Sequence, residues 1–226
     1  MKSNFFLQVI IVCLLLTCGS VCRAGFDKAQ ALEFASTKGA ELLTAFQEPD
    51  LNKRYQRLDE LFLAYVDTDY ISRFVVGKYW RQMTPVQKKR YQELFVRYGL
   101  AYYKTLPLDY VQKVSYEIKG AEPDGAFMTV SAVVHVSMRE DPQDVALVFR
   151  LHETQDGQIK AVDVKVAESS LLLAYRSKFY EMMAQEDGEI DWFLEDLEDL
   201  ASSFEHSLDK NVSEQQKSLE LVEENN

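Results

Sequence analysis

Between Phe26 and Leu208 the apolar positions change period twice. From Phe26 to about Phe46 they recur at helical spacing, with Ala31, Phe34, Ala35 and Leu42 near one face, until Glu48-Pro49-Asp50 breaks the run. A second helix from about Asn52 to Tyr65 carries Tyr55, Leu58, Leu61, Phe62 and Tyr65 at three- and four-residue steps. A short third helix holds Tyr70, Ile71, Phe74 and Val75, with Asp67 or Thr68 as cap and Gly77 where it stops. Thr84-Pro85-Val86-Gln87 then reads as a helix start: threonine caps, proline fills the first helical position, and glutamine lies three residues past the cap. The helix from Pro85 to about Lys104 aligns Tyr91, Leu94, Phe95, Tyr98 and Tyr102, while Lys88, Lys89, Arg90 and Arg97 fall mostly off that stripe. The pattern predicts Trp80, Phe95 and Tyr98 inside, and Lys88 and Lys89 in water.

After residue 113 the period drops to two. Val114, Tyr116 and Ile118 alternate with polar neighbours. Met128, Val130, Ala132, Val134, Val136 and Met138 share one face of the next run, with Thr129, Ser131, His135 and Ser137 opposite. Val145, Leu147, Phe149 and Leu151 do the same against Arg150 and His152, and Val162, Val164 and Val166 against Asp163 and Lys165. Turn signals in "EPDG", "EDPQD" and "TQDG" join these four strands. Short connections imply an antiparallel meander with one apolar face, and helices must cover that face. The class is α+β: a curved antiparallel sheet of four strands or slightly more, covered by helices, cone-like with an internal apolar pocket.

Helical spacing returns at Ser169 or Ser170 through "LLLAYRSKFYEMMA", pauses at Gly188, and resumes through Ile190, Phe193, Leu194, Leu197, Leu200, Phe204 and Leu208. One face of this last helix is apolar and the other densely acidic. Beyond about Lys210 the chain is polar and lacks aromatics, which predicts disorder. The expected organisation is therefore a signal peptide over 1–24, a folded domain over 25–208 and a disordered polar tail over 209–226.

The leader is legible because Lys2 precedes an uncharged, mostly apolar run from Phe5 to Leu16, and Cys22 and Ala24 sit at signal-peptidase spacing. The run is short for a membrane span. Lipidation of Cys18 is the rival, but Thr17 stands where a lipobox takes Gly, Ala or Ser. All three cysteines fall in this leader, so the mature chain is expected to lack disulfides, thiol nucleophiles and Cys-ligated metal. The hydrophobic core must hold it.

Charge changes the picture once more. The chain carries −11, yet from Glu186 onward 14 acidic residues stand against Lys210 and Lys217. The body is nearly neutral and the acidity is C-terminal. A nucleic-acid binder needs a net basic footprint, so that class is set aside, and the acidic end disfavours adsorption to anionic lipid.

Catalytic and metal constellations are sparse. No phosphate loop is present, and His135, His152 and His206 lack metal-ligand spacing, so no cofactor is expected. Asp67 and Asp69 sit at a helix start, where carboxylates serve as caps. Arg176 fits either an anion clamp or an ordinary pairing with a carboxylate. An enzyme would need convergent polar groups in a pocket; Tyr116, Asp163 and His135 are the only candidates. A purely structural adaptor would show a filled core. What remains is an excess of apolar and aromatic side chains, which suits either a plain core or the wall of a cavity.

Asp67, Ile71, Ser72, Phe74, Gly77, Trp80, Thr84, Pro85, Gln87 and Phe95 form the frame "D…IS-F--G…W…TP-Q…F", and Tyr175, Arg176, Ser177 and Phe179 follow the sheet. This combination, over roughly residues 27–200, resembles the MlaC or toluene-tolerance family of periplasmic phospholipid-transport proteins. Two steps depart from the family pattern. Glu168-Ser169-Ser170 stands where a Gly-aliphatic-Ser step is usual, and Ile159-Lys160-Ala161 where a tryptophan usually enters the last strand. The resemblance implies a monomeric, non-enzymatic carrier in the periplasm, exchanging glycerophospholipid between an outer-membrane lipoprotein–porin complex and an inner-membrane ABC transporter. Its acyl chains would lie against Val130, Ala132, Val134, Leu147, Phe149 and Val164 on the sheet, with Phe62, Phe74, Tyr98 and Tyr102 opposing them from helices. An exported enzyme acting on a small apolar substrate is the alternative.

Overall fold

Side-chain caps fix where the helices begin. In the computed structural model, which describes residues 26–105, 113–137 and 142–224, α1 (Lys28–Phe46) starts on an Asp27/Gln30 capping box. α2 (Leu51–Tyr65) starts on Asp50 and α3 (Thr68–Val76) on Asp67. α3 ends at Gly77, whose φ of +50° suits a residue without a Cβ. A 3-10 turn over Gly77–Arg81 leads to α4 (Pro85–Lys104), where Thr84 and Gln87 form the expected reciprocal cap. Ser170 caps α5 (Leu171–Gln185), and α6 runs from Ile190 to Glu224.

The strands are β1 (Lys113–Asp124), β2 (Phe127–Ser137), β3 (Pro142–Glu153), β4 (Ile159–Val166) and β5 (Ser169–Ser170). They form one antiparallel sheet in the linear order β1-β2-β3-β4-β5. This corrects the expected curved cone. A meander joined only between sequence neighbours brings no strand back to β1, so β1 and the two-residue β5 stay at opposite edges of an open sheet. The α+β class and the helical cover stand. Bulges interrupt the register between Ile118 and Gly120 and between Arg150 and Leu151. After the second, Leu151 pairs with Ala161 rather than with a residue in step with Val164. The face shared by Leu151 therefore continues through Ala161, not through Val162 as strict alternation requires.

The β4 edge is where sheet meets helices. Val66, closing α2, bridges to Ala161, and the Asp67 N–H donates to the Ala161 carbonyl at 2.9 Å. Further along, β5 pairs Lys165 and Val166, and the Asp163 carboxylate accepts from Ser170 Oγ and from the Leu172 N–H at the start of α5.

The buried residues fall into separate clusters. α3, α4, α5 and α6 pack Val75, Tyr91, Phe95, Tyr98, Phe179, Phe193 and Leu197 together without a strand residue. α1 packs Ala31 on Ala121, Met128, Val130 and Leu151 of the sheet. A smaller cluster joins Ala45 of α1 to Leu58 and Leu61 of α2. Phe95 and Tyr98 are buried as the period argument requires; Trp80 is half-buried, and Lys88 lies 5.4 Å above its ring rather than fully in water. Lys89 is exposed. The helix expected to end near Leu208 continues to Glu224, and Gln215 is tied to the α1–α2 connection by bonds to Leu51 and Pro49. Residues 1–24, Met138 and the two terminal asparagines lie outside the described residues.

Candidate functional site

The alternating pattern puts a continuous apolar surface on the α1 side of the sheet. Register aligns Tyr116 with Val134 and Val145, Ile118 with Ala132, Leu147 and Val166, and Ala121 with Val130, Phe149 and Val164. α1 seals only part of it. Val130 is fully buried beside Ala31, and Phe149 packs partly against that cluster. Tyr116 holds α1 close by donating to the Ser36 carbonyl, and a Cβ at Gly39 would sit 2.9 Å from the Tyr116 ring. Val134, Leu147 and Val164 are half-buried and belong to none of the packed clusters among the described residues. Ala132, though buried, also lies outside them.

The helical candidates have different surroundings. Phe62 is half-buried, stacked on Tyr103 at 5.2 Å. Phe74 and Tyr102 sit at the border of the helical core, with Arg176 over the Phe74 ring at 5.0 Å. Tyr98 is 1% exposed and ringed by Tyr102, Tyr175, Phe179 and Phe204. Burial pushes the pKa of the Tyr98, Tyr175 and Tyr103 hydroxyls well above the usual phenol value, so these groups stay neutral.

The three residues considered for catalysis do not converge. Tyr116 faces α1, whereas His135 pairs in register with Asp144 on the opposite face and bonds it at 2.6 Å. Asp163 is consumed in capping α5. Arg176 donates to the Phe74 carbonyl near the end of α3 and to the Tyr180 hydroxyl at 3.0 Å, and pairs with no carboxylate among the described residues. That explains the packing at Gly77, where an added Cβ would collide with Tyr180 and Arg176.

Sequence reasoning missed a cleft of about 790 Å³ between the start of α3 and the β3–β4 hairpin. Asp67, Tyr70, Arg73, His152, Asp156 and Lys160 are among its walls. At its base Asp67 Oδ2 lies 2.7 Å from His152 Nε2 while Oδ1 accepts from the Tyr70 N–H. His152 and Asp67 are distant in sequence; the Val66–Ala161 bridge brings Asp67 to the edge of β4 and the β3–β4 register brings His152 beside it, so no local signal marks the pair.

The family model for "MlaC protein" matches residues 39–199. This chain belongs to the MlaC family. A phospholipid-binding protein from Ralstonia solanacearum, solved in complex with a phospholipid, superposes with a TM-score of 0.64 at 22% identity, covering 79% of this chain and 99% of that one. At that identity the likeness speaks for the fold. No match is found among curated proteins. As an MlaC protein the chain is a periplasmic member of a phospholipid-binding, lipid-transporting and non-catalytic family. Both departures from the family frame fall inside the matched segment: Glu168 lies in the turn before β5, which Ser169 and Ser170 form, and Ile159-Lys160-Ala161 opens β4. α6 outruns the match, continuing from residue 199 to Glu224.

Proposed function

We propose that this MlaC protein carries glycerophospholipid between an outer-membrane lipoprotein–porin complex and an inner-membrane ABC transporter, exported by a signal peptide over residues 1–24. The acyl chains lie along the sheet face formed by Ala132, Val134, Leu147, Phe149 and Val164, with Val130 at its sealed end. Phe62, Phe74 and Tyr102 close it from the helices, Tyr98 backs them from within the helical core, and the headgroup stays near solvent. The observation that carries this reading is the half-buried state of Val134, Leu147 and Val164. Apolar side chains left outside the packed clusters gain about 0.8 kcal/mol for each ligand methylene they help to dry, which is what a carrier needs to compete with a bilayer.

The test is lipid extraction from the purified protein followed by mass spectrometry, with Ala132→Trp as the variant. Tryptophan at that position fills space on the apolar face, so the variant should fold and lose most of its lipid. Wild-type protein that holds no phospholipid, and acquires none from liposomes or the transporter, would end the carrier reading.

A further inference from the structure

We propose that the outward face of α6 around Trp192 is a docking surface for a basic protein partner, with Trp192 as its anchor. Phe193, Leu194 and Leu197 are fully buried against the helical core, which turns Trp192, Glu195, Asp196 and Asp199 outward together at helical spacing. Trp192 is 57% exposed, the one aromatic side chain in the exposed class among the described residues. Every other Phe, Tyr and Trp among the described residues is at least half covered, so this one marks a surface left for something else. Tryptophan is the residue most enriched among binding hot spots.

The charge around it selects the occupant. Along the seam with α4 the acids of α6 are neutralised, Glu198 by Arg90 and Arg97, and Glu205 by Arg97. On the outward face no Lys, Arg or His pairs with Glu195, Asp196 or Asp199 among the described residues. Residues 186–199 contain no basic residue at all. Crowding is visible in one group: the Glu186 carboxyl holds its proton more tightly than usual, through lost solvation first and then through the Asp196 carboxylate it meets. A basic protein surface relieves that repulsion. An anionic membrane would add to it, and so would a second copy of the chain presenting the same face.

This deepens the carrier reading, and rests on it, by naming the chemistry of the surface its transport partners present. Full-length protein is tested against the purified inner-membrane transporter complex and the purified outer-membrane complex, each in detergent, at low and high salt. Lipid content is measured on the same samples. Binding to at least one complex should weaken with salt and fall about ten-fold or more in Trp192→Ala. It should fall comparably in the charge variant Glu195→Gln/Asp199→Asn, with lipid content unchanged in both. Variants that bind like wild type, or a wild type that binds neither complex in a salt-sensitive way, overturn the proposal. So does binding to phosphatidylglycerol vesicles, or a dimer in sedimentation that Trp192→Ala disperses. Protein that never carries lipid sinks the carrier reading and leaves the docking measurement standing.

Discussion

The helical core and the α1 face of the sheet are built from similar residue types but finished differently. In the first, Tyr91, Phe179 and Phe193 are fully buried, and their rings touch one another edge-on or tilted at 5.8–6.4 Å. No apolar surface of Tyr91, Phe179 or Phe193 is left to give to a ligand. In the second, the upper rows are closed by α1 while Val134, Leu147 and Val164 remain half-wet. A core closed on itself and a face left half-covered are thus separated by packing, not by composition. The same contrast divides the helical residues proposed to meet the lipid: Tyr98 belongs to the sealed core and Tyr102 to its margin, while Phe62 stacks on Tyr103 outside it.

The contrast breaks most sharply at Phe179. Its ring contacts Tyr91, Phe95, Tyr98 and Phe193. Phe179→Ala leaves a void that four aromatic neighbours cannot collapse into, and should cost about 3–5 kcal/mol in urea unfolding. A loss below about 1 kcal/mol would mean the helical core is no tighter than the sheet face.

Phe149→Ala sharpens the other side. The ring is half-buried and packs only partly against the α1 cluster, so lipid-free stability should fall by less, about 1–2 kcal/mol. Phospholipid retained through purification should drop far more steeply than in any helical-core variant of equal stability. Equal lipid loss in both would show that retention follows stability alone.

Much of this division could be read from the chain. The Thr84/Gln87 cap, the Gly77 stop and the aromatic stripe of α4 are local or periodic features, and each formed where the pattern put it. The apolar face of β2 and β3 was equally plain, because a period of two survives any register. What periodicity could not supply was the bulge that puts Ala161, and not Val162, beside Leu151, since an extra residue has no signature in alternation. Nor could it supply closure. Closure depends on whether the edge strands β1 and β5 pair, and here each strand pairs only with its sequence neighbours, which an alternating pattern alone does not fix. Distal α6 misled for a different reason. Its polar composition suggests disorder, but Gln215 finds two partners at the α1–α2 connection and the helix holds.

The smallest expected effect lies at the seam between the two regions. Tyr65, which closes α2, donates to Glu41 of α1, and Lys38 pairs with the same carboxylate at 2.9 Å. The Tyr65 bond first and Lys38 second hold the Glu41 carboxyl below its ordinary range. A depressed carboxylate contributes stability that is present above its unfolded value and is lost as pH falls through the lower folded one. Tyr65→Phe removes the larger cause. Wild type should therefore exceed the variant by about 1 kcal/mol at neutral pH, and the gap should narrow as the medium is acidified below the normal carboxylate range. Lys38, raised mainly by Glu41, acts at the alkaline end, where it loses its proton, and does not alter that acid limb. Unfolding curves at several pH values check the sign. A gap that widens in acid would mean that the phenol serves the protonated carboxyl, and that the seam is not held by charge.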